Sequence, residues 1–337
     1  MHEAILYERL EDGSVRCSLC SFRCRIPDGG WGNCRVRYNR GGVLSSVVYG
    51  RLIARHMDPI EKKPLYHFLP GTLSYSIATP GCNFRCSFCQ NWQISQPDPD
   101  TAFERISYVK PEEVVRRAVA GGAHSISYTY TEPTIFMEYA LDCARLAKDE
   151  GLRNVFVTNG FQTPEAIEKM RGLIDAANVD LKAFSDEFYR TRCKARLEPV
   201  LEAIRCMVQA GMHIEVTTLV IPGLNDSPEQ LRGIAEFLAG LSTDLPWHIS
   251  RFHPDYKETH LSPTPISTLK QAAAFGKEAG LKYIYLGNVL IEEGRDTCCP
   301  SCGKVLIERR GFGWTVVNIK EPKCPSCGAD IPVVLAS

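Results

Sequence analysis

No run of apolar residues in this chain approaches the roughly 20 that a membrane-spanning helix requires, so a bilayer-crossing segment is not expected. Nor is there an excess of either charge. The 39 basic residues balance 39 acidic ones, and the surplus that drives nonspecific nucleic-acid binding is missing, which disfavours nucleic acid as a partner. The stretch from Met1 to Arg9 is acidic and lacks an apolar signal region, which points away from secretion and from a disulfide-forming compartment. A reducing, cytoplasmic setting is the expectation.

Cysteine is what the chain has in abundance, with 15 among 337 residues. Outside an oxidising compartment such a number reads as metal ligation. Eleven of them form three groups: Cys17, Cys20, Cys24 and Cys34; Cys82, Cys86 and Cys89; and Cys299, Cys302, Cys324 and Cys327. The remainder are Cys143, Cys193, Cys206 and Cys298.

The middle group carries the chemistry. It follows the strand-like run Leu73 to Ala78 and reads Cys-x-x-x-Cys-x-x-Cys, with Phe88 before the last thiol. A cubane [4Fe–4S] cluster takes four ligands, so three thiolates on one loop leave one iron open to a chelating molecule. S-adenosylmethionine offers an amine and a carboxylate for that position, and reductive cleavage there yields a 5′-deoxyadenosyl radical able to take hydrogen from an unreactive C–H bond. The alternative is zinc with a fourth ligand elsewhere. Zinc loops usually pair their cysteines at two separated places, unlike this compact triplet.

Around this loop the chain alternates strand and helix. Strand-like runs are Leu73 to Ala78, Ser125 to Tyr130, Asn154 to Thr158, Ala177 to Leu181, His213 to Ile221, Trp247 to Phe252 and Leu281 to Leu286. Helical stretches are expected over Pro111 to Ala120, Ile135 to Glu150, Pro164 to Leu173, Leu197 to Ala210, Pro228 to Leu241 and Ser267 to Ala279. Proline opens several of these and Gly121, Gly151, Gly211 and Gly280 close others. The fold class is therefore α/β, and about six units suit a partial (βα)6, TIM-like barrel with its chemistry at the carboxyl ends of the strands. Three regions are expected: a cysteine-rich metal-binding segment over 1–56, a core over 57–295 and a terminal ribbon over 296–337.

Cys299-Pro300-Ser301-Cys302-Gly303 and Cys324-Pro325-Ser326-Cys327-Gly328 are near-identical knuckles flanking a β-like stretch, Val305 to Ile319. Two such knuckles close a tetrahedral site, the pattern of a structural zinc ribbon, with rubredoxin-like iron as the rival. The first group is ambiguous. Spacing Cys17-x-x-Cys20-x-x-x-Cys24-x9-Cys34 could hold zinc or wrap an auxiliary iron–sulfur cluster for electron relay. The paired start and the small size of the segment favour zinc, with Arg23, Arg25 and Arg35 as basic neighbours.

The Cys82–Cys86–Cys89 loop resembles the defining motif of the radical S-adenosylmethionine superfamily, and further matches follow in strand order. Tyr130-Thr131-Glu132-Pro133 resembles the family's Gly-Gly-Glu-Pro but keeps only Glu-Pro. Thr158-Asn159-Gly160 and Asp180-Leu181-Lys182 resemble segments of pyruvate formate-lyase activating enzymes, as does the turn Ile221-Pro222-Gly223. The resemblance implies cofactor contacts from Phe88, Tyr130, Glu132, Thr158, Asn159, Asp180, Lys182 and His248, with His253 a further candidate. Glu132 would take the methionine ammonium and Lys182 its carboxylate. Over the whole chain the match is most similar to the radical S-adenosylmethionine enzymes of the AmmeMemoRadiSam system. That resemblance implies Memo-like and AMMECR-type partner proteins without fixing the reaction. The leading reading is hydrogen abstraction from a macromolecular substrate, a protein, with a flavodoxin or ferredoxin as electron donor. RNA modification and a non-catalytic metal-stabilised interaction module are the alternatives.

Overall fold

The computed structural model describes residues 1–96, 103–311 and 314–336. Its centre is one open sheet of eight strands in sequence order: β1 (Ala54–Pro59), β2 (Leu73–Ala78), β3 (Ser125–Tyr128), β4 (Arg153–Thr158), β5 (Ala176–Asp180), β6 (His213–Val220), β7 (Trp247–Arg251) and β8 (Ile284–Gly287). The strands from β2 to β8 pair in parallel, and β1 is an antiparallel edge on β2. Each parallel step needs a crossover, and six helices supply the six. These are α1 (Pro111–Ala120), α2 (Met137–Asp149), α3 (Pro164–Met170), α4 (Glu198–Gln209), α5 (Pro228–Leu241) and α6 (Ile266–Glu278).

Local chemistry sets the helix starts. Thr163 and Ser227 accept hydrogen bonds from Ala166 and Gln230 amides, and Pro164 and Pro228 follow them. Apolar spacing then fixes which face is buried. In α5, Leu231, Ile234, Ala235 and Leu238 recur at helical period and are all buried. Each fully buried leucine or isoleucine contributes about 1.5–3 kcal/mol, so Leu238→Asp would unseat this helix.

Two regions pack against this centre. The amino-terminal segment forms two small antiparallel sheets, and its Val15, Ile26, Val36, Leu44 and Val48 belong to the same apolar core as the central strands. It is too small to bury a core alone, so it borrows one. The Pro-punctuated stretch before β2 is packed inside as well. Tyr66 and His67 amides donate to Glu215 at 3.0 and 2.8 Å, and Asn178 donates to the Pro64 carbonyl at 2.7 Å.

The terminal segment forms a three-stranded antiparallel sheet over Thr297–Cys298, Val305–Arg309 and Thr315–Val317. Residues 312 and 313 of its β-like stretch lie outside the described residues. It docks on the segment that enters β2. The Val334 amide donates to the His67 carbonyl at 2.7 Å, and Arg309 donates to the Tyr66 carbonyl at 2.7 Å. Its seat is therefore at the amino ends of the parallel strands.

Candidate active site

The three thiols sit on the loop leaving the carboxyl end of β2. Gly81 makes that turn possible: its φ is +104°, and a Cβ there would come within 2.8 Å of Val36 and 3.0 Å of Ile135. No side chain fits. Arg85 then braces the loop, donating from Nη1 to the Cys82 and Phe84 carbonyls at 2.6 and 2.8 Å. Beyond it, the Arg85 and Ser87 amides donate to the Cys193 and Arg192 carbonyls, at 2.9 and 3.0 Å.

Carboxyl ends of neighbouring strands converge on this loop. Following β4, Asn159 donates from Nδ2 to Asn83 at 2.7 Å and lies 3.8 Å from Cys82 Sγ. Following β5, Lys182 pairs with Asp180 at 2.9 Å, and its ammonium lies 5.9 Å from the Phe88 ring centre. Burial pulls against the lysine's charge, but Asp180 and the nearby Cys86 outweigh it, so its pKa rises well above the usual lysine value. Asn225, in the turn after β6, donates to the Lys182 carbonyl at 2.6 Å and fixes where that side chain starts.

Glu132, the expected ammonium contact, lies between the ends of β3 and β4. Its carboxylate is buried and accepts from Thr134 N and Oγ1, Thr158 Oγ1 and Asn159 N at 2.5–3.0 Å. Thus Thr158 reaches Glu132, and the carboxylate ties the ends of β3 and β4 together. Burial raises its pKa against these bonds. Tyr130 occupies the first glycine position of the family's motif and adopts the left-handed conformation, with φ of 61°, that glycine takes easily. Its hydroxyl reaches Asp58, and Lys63 lies 4.5 Å from its ring centre, so the side chain is committed to the edge strand.

His248 is not at the strand's carboxyl end. It is the second residue of β7, buried, with Nε2 2.6 Å from Glu215 Oε2. His253 instead reaches the cysteine loop, 3.0 Å from the Gln90 amide. The whole loop after β7 packs there: Tyr256 stacks on Trp92 at 5.1 Å, and the Lys257 amide donates to the Ser87 carbonyl at 3.1 Å.

Sequence reasoning missed Cys193. It lies on the turn Tyr189–Cys193, buried, and its nearness to Cys86, together with burial, pushes the Cys86 thiol well up. Burial likewise raises Cys82, with Glu132 adding to it. No spacing signal ties a cysteine a hundred residues downstream to this loop.

The donor set suits an iron–sulfur cluster. Among the described residues, the one group of three or more metal-ligating side chains with donors all within 4.8 Å of one another is Cys299, Cys302, Cys324 and Cys327. A tetrahedral ion holds thiolates about 3.8 Å apart, and the ribbon's Cys299–Cys327 and Cys302–Cys324 pairs lie at 3.6 Å. The triplet on the β2 loop is more widely spread, as ligation of three different irons demands. A buried Asn83 Nδ2 without a partner sits beside it.

Similar proteins are known. A family profile described as the radical SAM superfamily matches residues 76–238. The uncharacterized protein MJ0808 of Methanocaldococcus jannaschii is 45% identical over 99% of this chain and 100% of its own. A pyruvate formate-lyase-activating enzyme of Streptococcus mutans is 24% identical over 60% of this chain and 80% of its own. In fold, the crystal structure of HydG, a maturase of the [FeFe]-hydrogenase, superposes with a TM-score of 0.50 at 15% identity, covering 68% of this chain and 53% of that one. With three thiols at the mouth of a parallel α/β sheet and relatives of this kind, the chain belongs to the radical SAM superfamily and is a radical SAM enzyme similar to the pyruvate formate-lyase activating enzymes.

Proposed function

We propose that Cys82, Cys86 and Cys89 hold a [4Fe–4S] cluster, that S-adenosylmethionine binds at the iron left without a thiolate, and that the enzyme abstracts hydrogen from a protein. When bound, the pair supplies one-electron cleavage of the sulfonium and a 5′-deoxyadenosyl radical. The chain's own residues bind and orient. Lys182, which Asp180 holds near Cys86, pairs with the cofactor's carboxylate. Asn159 locks the cysteine loop, while Glu132 acts as a positioning residue by fixing Thr158 and Asn159.

The observation that carries this reading is the convergence of Asn159 and Lys182, from two different strands, on one three-thiol loop. Similarity to a protein named as an activating enzyme for pyruvate formate-lyase supports a protein target. In this reading the enzyme belongs with the AmmeMemoRadiSam group, its partners are Memo-like and AMMECR-type proteins, and a flavodoxin or ferredoxin supplies the electron. The terminal ribbon holds zinc. Its seat at the amino ends of the strands, remote from the cysteine loop, favours this over the reading in which the ribbon presents RNA to the site.

The test is anaerobic reconstitution followed by electron paramagnetic resonance with and without S-adenosylmethionine, and detection of 5′-deoxyadenosine after reduction. A spectrum indifferent to the cofactor sinks the open-iron reading. Deuterium carried from a labelled candidate partner into 5′-deoxyadenosine identifies the substrate, and Cys86→Ala abolishes the product while leaving the ribbon metal in place.

A further inference from the structure

The four amino-terminal thiols surround a cavity whose walls are Cys17, Cys20, Cys24, Cys34, Arg37 and Ile135. They do not cluster as the ribbon's do. No three of them bring their sulfurs within 4.8 Å of one another, a span that the ribbon's four satisfy. A zinc ion at about 2.3 Å from each sulfur requires the tight arrangement. Four thiolates set around an empty space fit a cubane, in which each sulfur binds a different iron and neighbouring thiolates stand roughly 6 Å apart.

A second observation points to an anion in the same cavity. Arg37 is 2% exposed and bonds Glu138 through Nη2 alone, at 2.7 and 2.8 Å. Its Nε and Nη1 are buried with no partner. Arg37 also lines the cavity, and a guanidinium only partly matched by Glu138 suits negative charge held there, since buried donors without acceptors are costly. The basic residues that spacing alone suggested do not serve. Arg23 and Arg25 pair with Glu165 and Asp12 at the surface, and Arg35 is exposed.

The cavity also adjoins the β2 loop. Ile135, in its wall, and Val36 are the side chains that a Cβ on Gly81 would strike. Arg85, which braces the cysteine loop, donates to the Asn33 carbonyl next to Cys34 at 2.7 Å.

We propose that Cys17, Cys20, Cys24 and Cys34 ligate a second [4Fe–4S] cluster, fully coordinated by protein, with Arg37 as its buried counter-charge. The proposal concerns a site separate from the Cys82 loop and stands whether or not that loop's substrate is a protein.

Metal and labile sulfide analysis of the full chain, purified and reconstituted without oxygen, tests it. About eight irons and eight sulfides per chain are expected, with zinc confined to the ribbon. A variant with Cys82, Cys86 and Cys89 all changed to alanine should keep about four irons and four sulfides and lose 5′-deoxyadenosine formation. That outcome separates the two sites, because failure of the radical site alone leaves the second cluster intact. A Cys20→Ala, Cys24→Ala variant should keep the Cys82 cluster and its response to S-adenosylmethionine. If the wild-type chain instead carries about four irons and a second zinc, the proposal is overturned, and the same holds if the triple variant retains no sulfide while its circular dichroism is native.

Discussion

Asn159 and Asn83, 76 residues apart in sequence, join side chain to side chain at 2.7 Å. One bond thereby clamps the end of β4 to the cysteine loop after β2. Asn159→Ala removes it and leaves the Asn83 amide buried with less to bond, a loss of about 1–3 kcal/mol. The expected outcome is retained iron but 5′-deoxyadenosine formation slowed about tenfold, because misplacement of reacting groups is costly. Single-turnover kinetics after reconstitution check this; an unchanged rate would remove Asn159 from the positioning machinery.

Lys182→Met should weaken S-adenosylmethionine binding by about thirtyfold or more, about 2 kcal/mol, since it removes the charge partner of a carboxylate in a poorly solvated site. Lys182→Arg should recover part of it. Equilibrium dialysis against labelled cofactor measures both, and equal affinity in Met and wild-type chains would place the carboxylate elsewhere.

His67 gives a pH prediction. Its Nδ1 lies 3.0 Å from the Pro332 carbonyl, which forces the proton there, and its Nε2 lies 2.6 Å from the Tyr285 hydroxyl. Burial draws its pKa down to about 3. The folded value is below the unfolded one, so the unfolded chain takes up the proton first as pH falls, and stability drops progressively from about pH 6.5 downward. A histidine NMR titration should find this ring still neutral at pH 5, with unfolding midpoints falling between pH 7 and pH 4. Ordinary titration near 6.5 would contradict the placement.

The ribbon's metal should be structural. Stripping it with a strong chelator, or changing Cys302 to serine, should unfold the terminal segment and lower the melting temperature of the whole chain, because Val334, Pro332 and Arg309 all bond the segment ahead of β2. Calorimetry with metal analysis checks this, and an unaltered transition after complete metal loss would show the ribbon to be independent.

Strands and helices were legible because apolar period and proline or glycine punctuation act locally, and the runs at Ser125 and His213 could be placed from them alone. Cysteine spacing is likewise local, whereas Asp180-Leu181-Lys182 stood out only by resemblance, and the structure brings Lys182 to 5.9 Å from the Phe88 ring centre. What could not be read was decided by distant partners. His248 lies on an expected strand, but its depth is set by Glu215, one strand away. Arg37 rather than Arg23, Arg25 or Arg35 faces the amino-terminal thiols because the Glu138 carboxylate on α2 holds it in the core. The donors that surround Glu132 come from Thr134, Thr158 and Asn159, and no local pattern around Glu132-Pro133 announces them.

The seat of the ribbon has a practical consequence. Lys304 is exposed on a module fastened to the pole opposite the reactive mouth. A fluorescent dye attached to it would report on docking of large molecules without obstructing the entrance, and a surface tether there would leave that entrance facing the solution.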